Sequence, residues 1–257
     1  MGVATPLLLH EMTRVAVGAI APSAIALLPV GATEQHGPHM PTGTDTFTVE
    51  HIARQAAGLS NVPVVVTPTL PFGSSGHHLA FGGTMSVGTE TYYRLIADLV
   101  ESLITDGFKR VFILNGHGGN NELIQLVVRD LALKHPVDLA AASYWVTAWD
   151  ALVANNAHEL GRLPGHAGAF ETSIVLALQP HLVREPRPHR DDVGPTDARS
   201  FYPPVRIERH GAWQEIDGYS DSPDRATAER GREFLEIAID AVSDALREFH
   251  DATGGNR

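Results

Sequence analysis

The sixteen residues "GATEQHGPHMPTGTDT", 31–46, contain Glu34, His36, His39 and Asp45 among interrupting glycines and prolines. Carboxylates and imidazoles are the ligands that hard and borderline divalent metals take. Glu34 and His36 are two apart, so on a continuing strand both side chains would point to one face. Asp45 comes nine residues after His36, beyond a turn-rich excursion that can fold back. "NGHGGN", 115–120, adds His117 on a glycine-flanked turn. These four side chains suffice for one metal or a tight pair, and the two oxygens of Asp45 can bridge ions about 3.5–4 Å apart. "GHAGAFETS", 165–173, is a third candidate, with His166 and Glu171 five apart and small neighbours that permit close backbone approach.

Each of these residues also has a plainer use. An acid or histidine in a loop is ordinarily solvated or caps a helix. Asn115 suits a turn, and the glycines of 116–119 suit a turn or an anion. "NGHGGN" lacks the Lys-Ser/Thr of a P-loop and does not match GxGxxG. His166 can be a loop residue, and Glu171 an acid placed at a helix N-terminus. "HEL" at 158–160 lacks the second histidine of a zincin motif. His77 and His78, in a glycine-rich stretch, either line a substrate or face solvent, and His39 has no assigned role. The coincidence of two ligand-rich motifs at two strand ends favours chemistry.

The elements that must position them alternate in type. "AIALLPV", 24–30, is a short apolar run ended by Gly31, as expected of a buried strand. A helix is predicted from Thr46 to about Gly58, a strand over 62–68, and a long loop over 71–88. Leu95, Leu99, Leu103 and Ile104 predict a helix over 89–106, with Thr89 as N-cap and Gly107 as the residue after the C-cap. "RVFILNG", 110–116, predicts a strand running into the His117 motif, followed by a helix over 121–134 and a strand over 137–145. A helix starts in 169–178, residues 181–222 read as irregular surface, and 225–249 form a last amphipathic helix. Such alternation implies a mostly parallel sheet covered on both faces, with ligands beyond the carboxyl ends of the strands. Loop 71–88, Tyr144, Trp145 and Trp149 are candidates for the pocket wall.

The chain has 257 residues, 43% of them hydrophobic, which suits one domain with a sizeable core. Thirty acids against 19 bases give a net charge of −11, which argues against nucleic acid and anionic membranes as partners. There is no cysteine, so a metal must take His, Asp or Glu; zinc, manganese and ferrous iron all accept such ligands. No apolar run reaches transmembrane length and the N-terminal stretch lacks a basic flank, so a cytoplasmic protein is expected.

Taken together, "LLPVGATEQHGPHMPTGTD", "ILNGHGGN" and "GHAGAFETS", in this order and with the similar loop "PFGSSGHHLAFGGTMSVGTET" between the first two, resemble the creatininase (creatinine amidohydrolase) family over residues 23–180. The resemblance implies a three-layer αβα sandwich, a site for two divalent ions (Zn, Mn or Fe) and a small-molecule substrate with a hydrolysable non-peptide C–N bond. It also implies a homo-oligomer, commonly a hexamer. By motif position, Glu34, Asp45 and His117 would hold one ion and His36 and Asp45 the other, with His166 as the catalytic histidine. In creatininase itself a Glu two residues after the histidine of the second motif completes the second site. Gly119 stands there in this chain, so Glu171 is expected to take over. Creatininase also has a Tyr where this chain has Gly118, and a Trp shortly ahead of the catalytic histidine, where this chain reads "GRLPGH". Creatinine is therefore not the expected substrate. Rival readings are a peptidase with the same site, as in the mycofactocin pathway, a hydrolase of a cyclic sugar derivative, a non-catalytic metal-dependent binder, and a phosphate binder using "GHGGN".

Overall fold

The computed structural model describes residues 5–190 and 208–254. Five parallel strands form one sheet in the order β1-β3-β2-β4-β5: Leu7–Leu8, Ile25–Val30, Val64–Val66, Arg110–Asn115 and Asp138–Ser143 in chain order. The two-residue strand β1 was not predicted, because so short an edge leaves no periodic signal.

The two central strands, β2 and β4, alternate strictly. Ile25, Leu27, Phe112 and Leu114 face one core, where they meet helices α2 (Thr44–Leu59), α7 (Ala169–Leu178) and α9 (Ala228–Thr253). Ala26, Leu28, Val111 and Ile113 face the other, packed on α1 (Arg14–Ile20), α3 (Thr89–Thr105) and α4 (Asn121–Ala132). Two apolar faces on one sheet account for the near-continuous hydrophobic runs in these strands and for the three-layer αβα arrangement.

The helix ends follow local chemistry. Gly107 is left-handed at φ 104°, with its N–H donated to Ile104 and that of Phe108 to Leu103, the pattern of a Schellman stop. The expected cap Thr89 is instead the first helical residue; Gly88 occupies the N-cap, with no side-chain hydrogen bond. Strand β5 stops at Ser143, and Tyr144 begins a one-turn helix, α5 (Tyr144–Thr147), followed by α6 (Trp149–Ala154). Tyr144 and Trp145 thus turn into the core.

The sheet's order reverses beside β2. The chain passes from β2 to β3 on one side, then returns to β4 on the other. The carboxyl ends of β2 and β4, Val30 and Asn115, are register partners at this reversal. A crevice at such a point is where open parallel sheets bind ligands. No helix among the described residues is long and apolar enough to cross a membrane.

Candidate metal centre

Both strand-end motifs lie at this reversal. Strand β2 ends at Val30, so it does not continue to Glu34 and His36 and they do not share a strand face. They lie on a turn closed by the Glu34 N–H donated to Thr42 and by a bridge between His36 and Met40. Asp45 is not at the end of a loop but in the first turn of α2, whose start falls two residues earlier than predicted. The partial positive charge of a helix N-terminus favours a carboxylate there.

His117 is presented by a knot of amides. Asn115 accepts the His117 N–H at 3.0 Å and donates to the His117 carbonyl at 2.7 Å and to Ser143 at 2.9 Å. Asn120 donates to the Gly31 carbonyl and accepts from the Ser74 N–H, tying three loops together. Gly116 lies so close to α2 that a Cβ would sit 2.7 Å from Cβ of Val49. Only glycine allows the His117 turn to approach Asp45.

The outcome is a buried cluster of acids and imidazoles. Glu34, His36, Asp45, His117, His166 and Glu171 are all at most 9% exposed. Nε2 of His36 lies 3.0 Å from Oδ1 of Asp45 and 3.8 Å from Oε2 of Glu171. Nδ1 of His117 lies 3.3 Å from Oε1 of Glu34 and 3.1 Å from Oδ2 of Asp45. Even so, Oε2 of Glu34, Nε2 of His36 and Oδ2 of Asp45 make no directed hydrogen bond. Buried polar atoms are otherwise almost always paired, and an orphan costs about 1–3 kcal/mol. Buried acid and imidazole atoms left unpaired in this way suit a bound cation. Three sets have their donor atoms close enough to share one: Glu34 with His36 and His166, Glu34 with His77 and His117, and His36 with Asp45 and Glu171.

The electrostatics agree. Burial works against charge on His36, but Asp45, Glu171 and Glu34 outweigh it and raise its pKa to about 10. His117 is likewise raised, against its burial, by Glu34 and Asp45. Glu171 is pushed up to about 8, chiefly by burial and with Asp45 adding to it, while His36 pulls it down. Burial also pushes Glu34 up, yet His117 and its neighbouring histidines hold it well below the usual carboxylate range. Protons here occupy the places that cations would take. His166 is different: burial and then His36 hold it well below 6.5, so it stays neutral.

Position 119 carries no side chain for a steric reason. A Cβ there would collide with the Ser74 carbonyl oxygen and the His117 ring. Glu171, in the first turn of α7, instead approaches His36 from the opposite wall, its Oε2 accepting the Ala167 N–H at 2.6 Å.

Residues the sequence reading passed over complete the site. The segment 181–222 is not all irregular surface: Tyr219, Ser220, Asp221 and Ser222 are buried, while 191–207 lie outside the described residues. Ser220 accepts the His166 N–H at 2.9 Å and returns its own N–H to the His166 carbonyl at 2.8 Å. Asp221, 1% exposed, accepts from Arg162 N–H, Ala169 N–H and the Ser220 hydroxyl. Trp213, on the one-turn helix α8 (Ala212–Glu215), stands edge-on to His166 and His78 at 5.2 and 4.7 Å between ring centres. The only signal of Tyr219, Ser220, Asp221 and Ser222 in sequence is a small polar run, "GYSDSP", in a stretch without periodicity, and Trp213 precedes that run. His78, left open between exposed and lining, is buried, and His77 is exposed.

The family model described as creatininase, creatinine amidohydrolase, matches residues 10–246. The chain belongs to the creatininase family. It is 31% identical over 249 residues to the creatinine amidohydrolase of Pseudomonas putida, spanning 91% of this chain and 92% of that protein. Over 229 residues it is 31% identical to a mycofactocin precursor peptide peptidase of Mycobacterium ulcerans, covering 86% and 84%. Over 247 residues it is 26% identical to a 3-dehydro-scyllo-inosose hydrolase of Thermotoga maritima, covering 88% and 77%. Among solved structures, a mutant creatininase of Zn-Zn type matches with a TM-score of 0.78 at 28% identity, covering 95% of this chain and 98% of that one. A structure described as creatininase Mn matches at 0.76 and 28%, with the same coverage. The chain is thus a creatininase-family amidohydrolase, and its buried donor cluster has the chemistry for metals of the kind those structures name.

Proposed function

We propose that this chain hydrolyses a C–N bond of the cyclic amide or formamide class, on a small substrate other than creatinine, with two divalent ions. One observation carries the reading: buried Glu34, His36 and Asp45 each keep an unpaired polar atom, and each belongs to a set of acid and imidazole donors close enough to share an ion, at the sheet's reversal. Glu34, Asp45 and His117 would hold the first ion, and His36, Asp45 and Glu171 the second. Asp45 would be shared, because its Oδ1 faces His36 and its Oδ2 faces His117. Zinc, manganese or iron held there supplies Lewis acidity, lowering the pKa of a water and polarising a carbonyl.

The protein's own groups do the rest. Burial of the cluster keeps bulk water from the scissile bond and strengthens each charge interaction. His166 stays neutral, with Nδ1 3.6 Å from Oε1 of Glu34. It can therefore take a proton from the attacking water and pass it to the leaving nitrogen. The absence of cysteine and of any GxSxG context for Ser74 or Ser75 leaves no covalent route to favour. By family resemblance, the working form is a homo-oligomer, a hexamer.

A peptidase acting on a short peptide is the second reading. It is favoured by an identity to the mycofactocin peptidase as high as that to creatinine amidohydrolase. A cyclic sugar derivative is a third, through the Thermotoga relative. A screen of cyclic amides, formamides, short peptides and sugar derivatives with metal-loaded enzyme separates them. Chelation abolishes activity, and zinc or manganese restores it; activity that survives a strong chelator overturns the metal reading. His166→Ala keeps its metal but loses turnover about 10²–10⁴-fold, and an unchanged rate removes His166 from the mechanism.

A further inference from the structure

Gln35, between the candidate ligands Glu34 and His36, brings its side-chain amide to the edges of two imidazoles, His78 and His166. Its amide can face only one way. Oε1 accepts the Gly37 N–H at 2.9 Å, and Nε2 donates to the Gly218 carbonyl at 2.9 Å. A flipped amide would set N–H against N–H and oxygen against oxygen. One amide proton is then left for two neighbours, His78 Nδ1 at 2.9 Å and His166 Nε2 at 3.1 Å.

The backbone decides between them. Nε2 of His166 is also 3.0 Å from the carbonyl oxygen of Gln35, which offers only lone pairs. That nitrogen must carry the ring's proton, so it cannot accept another. The spare amide proton goes to Nδ1 of His78. His78 therefore carries its own proton on Nε2, while His166 has a bare Nδ1. Both atoms lie 3.6 Å from the same Oε1 of Glu34, and the rings stack at 4.1 Å with 18° between planes. At 3.6 Å the His78 N–H is too far from Glu34 to be bonded to it.

We infer that the Gln35 carboxamide assigns opposite duties to this stacked pair, making His166 the acceptor and His78 a fixed neutral N–H donor for the substrate's carbonyl oxygen. The inference rests on the hydrolase reading for the substrate, but the proton positions stand or fall without it. In the resting protein both rings are neutral. Only the location of each proton is set, by a side chain that itself never reacts. A donor held by packing and by a hydrogen bond to the far nitrogen of its ring loses little orientational freedom when it meets a developing negative charge.

Nitrogen-15 NMR of histidine-labelled protein reads the tautomers directly, without any turnover. His78 and His166 should both appear as neutral Nε2–H forms. In Gln35→Glu the amide donor is gone and an acceptor replaces it, so a proton should appear on Nδ1 of His78 while Nε2 of His166 stays protonated. Gln35→Met, a second variant of similar length, should leave His78 without a single fixed tautomer. A wild-type His78 resting as Nδ1–H, or a His78 spectrum unchanged in either variant, overturns the assignment. The donor role is probed with N-methylformamide and 2-pyrrolidinone at high concentration on zinc-loaded protein. The His78 Nε2–H resonance should shift with at least one of them, and a resonance unmoved by both overturns that role. Failure of the hydrolysis screen with the tautomers as stated would count against the proposed reaction and leave the proton assignment intact.

Discussion

Asp221→Ala is the most informative single perturbation of the loop that carries His166. The Asp221 carboxylate accepts the Ala169 N–H at 2.7 Å, the Arg162 N–H at 3.2 Å and the Ser220 hydroxyl at 2.9 Å. It thereby clips both ends of segment 162–169. Gly161, Gly165 and Gly168 crowd around it, and a Cβ at any of the three would press on Asp221. Truncation leaves two backbone N–H groups without acceptors, at about 1–3 kcal/mol each. Part is recovered, because a water can enter the vacated space and because a buried charge is no longer carried. Burial pushes the Asp221 carboxyl up, against the pull of those same donors, which marks that charge as costly. The net expectation is a loss of about 2–4 kcal/mol, or a melting point lower by about 4–16 °C at the scale for domains of this size. Asp221→Asn retains one oxygen for Ala169 and opposes only one N–H, so its loss should be about half as large. Thermal and urea unfolding of both variants measure this, with turnover followed in parallel, since Ser220 bonds both the N–H and the carbonyl of His166. An alanine variant that melts with the wild type would refute the clip, as would an asparagine variant that loses as much as alanine.

Two further expectations concern the metal. Glu171→Ala should lower bound metal towards one ion per chain by elemental analysis; two retained ions would show that another group completes the second set. Metal binding should expel protons, because at pH 7 the metal-free cluster holds them on His36, raised to about 10, and on Glu171, raised to about 8. Calorimetry in two buffers of different ionisation enthalpy should show that release, with affinity rising from pH 6 to 8; binding without proton release would contradict it. The same shifts fix a stability trend. Both folded values lie above the unfolded ones, so the stability they contribute is fully present at low pH and is lost as pH climbs. The buried neutral histidines His39, His78 and His166 act the other way only below about pH 6.5. Metal-free protein should therefore melt lower at pH 9 than at pH 6.5, and the metal-loaded form should not follow it.

The sheet was legible because its central strands are buried on both faces and so read as unbroken apolar runs, with helices of clear period between them. The edge strand Leu7–Leu8 and the one-turn helices 144–147 and 212–215 are too short to carry any period. Asp45 was assigned to a loop because Gly43 and Thr44 have turn chemistry, yet the helix starts among them without a side-chain cap. Glu34 and His36 would share a face only if the strand ran on to them; it stops at Val30, and a turn brings their donor atoms together by another route. The meeting of motifs 31–45 and 115–120 was legible from their place at two strand ends, and β2 and β4 are neighbours at the sheet's reversal; segment 165–173 follows no strand and was legible only through the family resemblance.

What local pattern could not carry is the network that gives these residues their direction. Gln35 looks like a spacer between two ligand types, and nothing in "EQH" says that its amide reaches His78, 43 positions on, and His166, 131 positions on. Asp221 sits in a run without periodicity, 55 residues past His166, and its importance depends on three glycines that only the fold gathers around it. Gly119 shows the reverse case. As a missing carboxylate it pointed to a gap, and the structure gives the reason in the Ser74 carbonyl and the His117 ring, which occupy the space. If that space is filled, a second donor set must be completed from another wall. Glu171 is the carboxylate that shares reach with His36 and Asp45. Ligand type was thus readable residue by residue, whereas orientation and proton placement belong to contacts between segments distant in the chain.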